Sequence, residues 1–385
     1  MELVPFAVQL SYDNWNYDEI LGAILPTEIL DEVPGSFSQA GHLAHLNLRP
    51  AYLPYKSLIA EVILDKNPTV RTVVNKLEDV GTASIFRTFP MEVLAGPADT
   101  TVQVKESNCV FTFDFAKVYW NTRLGHEHER VVAKFRPGEA VCDVMAGVGP
   151  FAVPAGKKEV FVWANDLNPE SYASLEGNIA RNKVGAFVTP FNTDGRFFIG
   201  EAVRGWYARY LDPAQNPATV PGLPVKFSRS KALAGGFQSP ADRKVALPKT
   251  FAHFVMNLPA SAVEFLDGFV GAYLGLEHIF DDGETKLPYI HVHTFHRETQ
   301  ERGEEFANED VLAELEKYLG CKVDAQTVEL HNVRRVAPNK TMYCASFRLP
   351  AEAAFAEPTI ARAAVEAANT EEGPKAESRK RERED

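Results

Sequence analysis

Residues 141–169 read VCDVMAGVGPFAVPAGKKEVFVWANDLNP and constrain the fold more than any other stretch. They contain two phrases, Asp143-x-x-x-Gly147-x-Gly149 and Asn165-Asp166-Leu167-Asn168-Pro169. Each phrase follows a β-rich apolar run, and the interval between them fits one short helix and one strand. That is the layout of a βαβ unit that binds an adenosine-containing cofactor. Glycines admit the ligand to the backbone, and an acid after the next strand accepts ribose hydroxyls.

A chain of 385 residues, 45% apolar and 24% charged, suits a globular protein of two or three domains. The cysteines, Cys109, Cys142, Cys321 and Cys344, form no CxxC pair, which speaks against a zinc site or a disulfide framework. No metal is expected. The first residues show neither a secretory signal nor an Arg-rich, acid-poor transit segment, and no window reaches the ~18 apolar residues of a membrane span. A formal charge of −12 argues weakly against nucleic acid, because net charge does not locate a basic patch.

Residues 1–115 read as a small α/β domain, with a helix over 55–65 and strands over 70–76, 85–93, 100–105 and 109–120. A connecting helical segment spans 116–138, with the helix itself over 122–135. Residues 139–350 then alternate strand and helix. Strands are expected at 141–146, 160–164, 187–191, 251–257 and 288–295, with helices after Pro150, over 169–182, from Ala260 and over 310–319. An antiparallel pair closes the domain over 322–330 and 342–349. This pattern predicts a mostly parallel sheet. Residues 209–250 read as a surface insertion without sustained period, and 351–385 as a disordered charged tail.

Spacing admits a dinucleotide, with Ala152 in place of a third glycine. Asp143 shifts the balance. A carboxylate at that strand end repels a pyrophosphate but suits the sulfonium and amino group of S-adenosylmethionine, the cofactor favoured here. A plain strand-end cap is the alternative for Asp143. Asp166 is placed on the ribose, and Asp194, after the third strand, on the adenine edge. The fourth strand ends in Met256-Asn257-Leu258-Pro259, which sets a rigid amide at the carboxyl end of the sheet. The bland alternative there is ordinary turn chemistry.

Together, Asp143-Val-Met-Ala-Gly-Val-Gly-Pro-Phe-Ala, Asn165-Asp-Leu-Asn-Pro and Met256-Asn-Leu-Pro-Ala-Ser-Ala resemble the eukaryotic and archaeal tRNA (guanine-N1)-methyltransferases that act on guanosine 37. Further matches are Gly41-His-Leu-Ala-His-Leu-Asn-Leu-Arg, Phe86-Arg-Thr-Phe, Val118-Tyr-Trp-Asn-Thr-Arg-Leu and Val336-Ala-Pro-Asn-Lys. They cover residues 5–350 or so, and the wording is fungal in character. The resemblance implies a Rossmann-like S-adenosylmethionine-dependent methyltransferase domain preceded by a smaller α/β RNA-facing domain. It implies methyl transfer to N1 of guanosine 37 in tRNA by an enzyme that acts in the cytoplasm, with mitochondrial matrix and nucleus as further family locations; nothing in the sequence demands a dimer, and a monomer is expected. Glu127 takes the place of the general base, and Arg87 that of the group on the base's oxygen. The cofactor positions that carry over are His128, Asp166 with Leu167, Asp194 with Gly195, and Asn257; Gly147, Gly149 and Asp143 join them from the motif. Tyr119, Arg123 and Pro259 are placed on the substrate. Two departures stand out. The chain begins almost directly at the central domain, so an additional N-terminal module of the family is expected to be missing, and Thr122 stands where the family often has Pro.

N1 of guanine carries a proton at neutral pH, so the reaction needs a base there and a donor for charge that moves onto O6. Glu127 suits the first task if partly buried. Arg87 or Arg123 suits the second, and Asn257 can read the base edge. Against these stand a solvated Glu127, a surface Arg87, a core Tyr119 and a His128 that merely faces solvent. His291 and His293 are expected to be structural. Two rival functions are an aminocarboxypropyl transferase on the same fold and a catalytically silent tRNA-binding protein.

Overall fold

The structure is a computed structural model that describes residues 7–32, 37–77, 86, 88, 90–221, 242–299 and 303–357. In chain order come α1 (Tyr17–Ile24), β1 (Ser38–Ala40), β2 (Leu43–Leu46), α2 (Lys56–Lys66), β3 (Thr72–Lys76), β4 (Met91–Ala95), β5 (Thr101–Glu106), β6 (Cys109–Asp114) and α3 (Gly125–Ala133). Next are β7 (Ala140–Asp143), α4 (Ala152–Lys157), β8 (Phe161–Asn165), α5 (Pro169–Asn182), β9 (Val188–Phe191) and α6 (Gly195–Leu211). Then follow β10 (Ala218–Val220), β11 (Arg243–Val245), β12 (His253–Met256), β13 (Tyr289–Arg297), α7 (Ala307–Leu319), β14 (Glu329–Ala337) and β15 (Lys340–Arg348). They divide between two compact units, Met1–Arg136 with Ala146–Asn192, and Pro137–Met145 with Thr193–Asp385.

In the first unit, β1-β2-β3-β4 form one sheet, in which only the β2–β3 pairing is parallel. Its core joins Leu21 of α1 and Ile59 and Ile63 of α2 to Leu46 and Val73. Asn16 caps α1 by accepting from Glu19 N at 2.9 Å, while Glu19 returns a bond to Asn16 N. β5 and β6 make a separate hairpin, closed by Ser107 and Asn108 at φ +48° and +58°, the conformation of a tight two-residue turn.

On β6, the buried Phe111 and Phe113 alternate with partly exposed residues, as a half-buried strand requires. The strand stops at Asp114, short of the expected Trp120. Asp114 Oδ1 accepts from Ala116 N at 3.0 Å and turns the chain. The other edge of β6 is met by side chains. Asn178 Oδ1 accepts from Thr112 N at 2.8 Å, and Asn182 both accepts from Val110 N (2.9 Å) and donates to Val110 O (2.8 Å). These asparagines lie one turn apart on α5, so their amides complete the strand as a neighbouring strand would. β8 and β9 pair in parallel in the same unit.

In the second unit, β14-β15-β13-β12-β7 are neighbours in that order. β7, β12 and β13 run parallel, while β15 and β14 return antiparallel as the closing pair. All four residues of β12 are buried, the apolar Phe254, Val255 and Met256 with His253, as in a strand covered on both faces. The closing pair is displaced from the expected register. Residues 322–328 carry no strand, because Asp324 accepts from Gln326 N at 3.0 Å and caps a single 3-10 turn. The expected helix from Ala260 is a 3-10 segment, Ala262–Phe269. The supposed insertion is partly ordered, since α6 continues to Leu211 and β10 pairs antiparallel with β11. Residues 222–241 of the insertion and 358–385 of the tail lie outside the described residues. Among the described residues no helix is long and apolar enough to cross a membrane.

Candidate active site

In the first unit the two opening phrases are tied together. Ala146 N donates to Asn165 O at 2.7 Å, and Gly147 N donates to Asp166 Oδ2 at 2.7 Å. Gly147 and Gly149 have φ of +55° and +97°. A Cβ at Gly149 would lie 2.7 Å from Leu175 Cδ1 and 2.8 Å from Val153 Cγ2, so only glycine lets the loop rest on α4 and α5. At Gly147 a Cβ would meet nothing within 4 Å, and its left-handed backbone alone calls for glycine. Asn178 Nδ2 donates to Val148 O at 3.0 Å and anchors the loop from below.

Asp166, expected on the ribose, is engaged with the backbone of its own loop and of the glycine loop. Oδ1 accepts from Asn168 N at 2.9 Å, so both oxygens hold backbone in place. Each keeps a lone pair for a ligand hydroxyl. Burial raises the carboxyl above its ordinary range, opposed by these two amide bonds. Asn192 Nδ2 donates to Asp166 O and Leu167 O at 2.7 and 3.1 Å and braces the loop, while the Leu167 side chain is 45% exposed. Asn168 caps α5 through Glu170 N and donates to Lys117 O.

On α3, Glu127 is buried rather than solvated, at 4% exposure. Arg130, one turn on, grips both its oxygens, Nε to Oε2 at 2.7 Å and Nη2 to Oε1 at 2.8 Å. His128 does not face solvent either. It is 3% exposed, with Nδ1 2.6 Å from Glu106 Oε1. Tyr119 is half-buried, and its hydroxyl accepts from Asn121 Nδ2 at 3.5 Å. Asn121 also accepts from Arg123 N, and the Arg123 side chain is exposed. Arg87 lies outside the described residues.

In the second unit, the fully buried Asp143 ends β7 opposite Val255 of β12, two residues before Asn257. Oδ1 of Asn257 is buried, with no hydrogen bond to it among the described residues. Pro259 is buried, and Leu258 O accepts from Ser261 N and Ala262 N as the chain turns. Asp194 is exposed and caps α6, accepting from Arg196 N (2.9 Å) and Phe197 N (3.3 Å). A Cβ at Gly195 would come within 3.1 Å of Val144 Cγ1, so glycine lets α6 start close against the end of β7. His291 bonds Ser346 Oγ (2.8 Å) and His253 (3.0 Å), and His293 Nδ1 lies 3.4 Å from Met256 O. Both side chains are buried on β13.

Thus Gly147, Gly149, Asp166 and Leu167 converge in one unit, where Glu127 and His128 are consecutive. Asp143, Gly195 and Asn257 gather at strand ends in the other. Sequence reasoning missed Arg130, although its three-residue spacing from Glu127 is a legible signal. It also missed Glu106, Asn178 and Asn182, whose partners are distant in sequence.

Two family models match, the TYW2 N-terminal domain over residues 17–100 and the TRM5/TYW2 methyltransferase domain over 101–205. A tRNA (guanine(37)-N(1))-methyltransferase of Neurospora crassa is 49% identical over 364 residues, covering 93% of this chain and 74% of its own length. Among solved structures, Trm5b from Pyrococcus abyssi superimposes with a TM-score of 0.60 at 24% identity, over 90% of this chain and 84% of its own. The aTrm5 protein in its complex with tRNALeu gives 0.61 at 22% identity, over 91% and 83%. At these identities the structural matches speak to the fold.

Proposed function

Because the chain belongs to the family of tRNA (guanine(37)-N(1))-methyltransferases, we propose that it transfers the methyl group of S-adenosylmethionine to N1 of guanosine 37 in tRNA. The observation that carries this reading is Glu127. Its side chain is 2% exposed while that of Arg130 is 21% exposed, and taking a carboxylate out of water costs stability even when it is paired. Such a pair is better explained by chemistry than by folding.

The residues fit the cofactor. The Gly147–Gly149 loop offers close backbone approach, and Asp166 retains acceptor capacity for ribose hydroxyls. Leu167 offers exposed apolar surface to an adenine and Asp194 an acceptor at a helix start, while Asp143 stands fully buried at the end of β7. S-adenosylmethionine, when bound, supplies a methyl group made electrophilic by its sulfonium. The chain supplies the rest. Glu127, held through both oxygens by Arg130, takes the N1 proton. Oδ1 of Asn257 accepts from the base edge and fixes its orientation. Arg87, with Arg123, donates to O6 as charge collects there. Tyr119 lines or stacks on a base that has left its helix stack.

Glu127→Gln tests the assignment. Affinity for S-adenosylmethionine should stay near that of the wild type, while single-turnover methylation of tRNA falls by about 10²-fold or more. Undiminished turnover would remove Glu127 as the base.

A further inference from the structure

Glu106, the last residue of β5, belongs to none of the motifs, yet it holds the residue beside the proposed base. Its Oε1 lies 2.6 Å from His128 Nδ1, and the two side chains are 14% and 4% exposed. The carboxylate also rests on the first turn of α3, where a Cβ at Gly125 would stand 3.1 Å from Glu106 Oε2. Glycine leaves it room, and the helix N-terminus favours its charge. An ionised carboxylate only accepts, so this short contact requires the proton on Nδ1. The ring is fixed laterally as well, edge-on to Phe151 at 4.8 Å and tilted against Trp120 at 6.3 Å. Phe151 follows Gly149 by two residues, so the imidazole stands beside the glycine loop. With Nδ1 committed, Nε2 is the ring atom left to meet a ligand.

We propose that Glu106 is a positioning residue for cofactor binding, which fixes His128 in the Nδ1–H form and so directs Nε2 to the cofactor. This rests on the reading of His128 as a cofactor contact. The test compares the full chain with Glu106→Ala, Glu106→Gln and His128→Ala. Calorimetry reads the affinity for S-adenosylhomocysteine, kinetics the KM for tRNA, and nitrogen-resolved NMR which ring nitrogen of His128 carries the proton. The wild type should show Nδ1–H. Glu106→Ala should lose that form and bind about tenfold more weakly, with the KM for tRNA unchanged. Glu106→Gln, whose amide oxygen still accepts, should keep the form and bind within about threefold of wild type. A wild-type ring protonated at Nε2 alone overturns the proposal without recourse to any variant. So does wild-type affinity in Glu106→Ala when His128→Ala has lost it. If His128→Ala itself binds like the wild type, the cofactor reading of His128 fails and the inference falls with it.

Discussion

A methyl group added at position 149 has no room, whereas one added at 147 has open space. Gly149→Ala combines a left-handed backbone with two sub-van der Waals contacts and should cost about 2 kcal/mol or more of stability. Gly147→Ala carries only the backbone strain, about 1 kcal/mol, but sets a Cβ where the ligand approaches. Urea titrations should rank the two in that order, and equal losses would contradict the contact geometry. Asp166 makes a prediction in pH. Its carboxyl is raised by burial, so the native state holds the proton more tightly than the unfolded chain. Its contribution to stability therefore declines as pH rises from the ordinary aspartate range through the folded value. Ribose hydroxyls need the ionised acceptor, so affinity for S-adenosylhomocysteine should fall on acidification, at a higher pH than an ordinary aspartate would impose. Asp166→Asn should bind more weakly and lose that acid limb; an unchanged limb would remove the ribose assignment. The glycines and Asp166 were legible because their types and spacing are local. Glu106 was not, because it meets His128 only after the β5–β6 hairpin has folded.

At the level of elements, the β6–α5 seam is where side chains replace a strand. Asn178 accepts from Thr112 N and donates to Val148 O, so it couples the hairpin to the glycine loop. Asn178→Ala would leave both backbone groups without this partner and should cost about 2 kcal/mol by urea denaturation. A loss under half a kcal/mol would show that the seam relaxes without it. The sequence shows asparagines four apart on a helix, but not which edge they serve. The other departures have similar causes. Asp114 and Asp324 accept from amides two residues ahead and end or pre-empt strands that apolar alternation alone would extend. Asp194 was legible as a strand-end acid, yet its local work is to cap α6, a helix absent from the sequence reading, which assigned no element to 195–208.

Across the molecule, the α/β class followed from the alternation of apolar runs with helical spacing, and family membership from long ordered phrases rather than from composition. The charge of −12 weighed against a nucleic-acid partner, yet relatives at 47–49% identity are named for their action on tRNA. Net charge sums over the surface, and binding depends on where the cations lie. Arg87 is the part of the proposed chemistry that falls outside the described residues, so its place rests on the motif Phe86-Arg-Thr-Phe. The most direct measurement is methylation of two tRNA transcripts that differ only at position 37, with S-adenosylmethionine as donor and mass spectrometry of the nucleosides. The guanosine-37 transcript should yield 1-methylguanosine, and the adenosine-37 transcript no methylated guanosine. Equal methylation of both, or an aminocarboxypropyl adduct in place of the methyl group, would contradict the assignment.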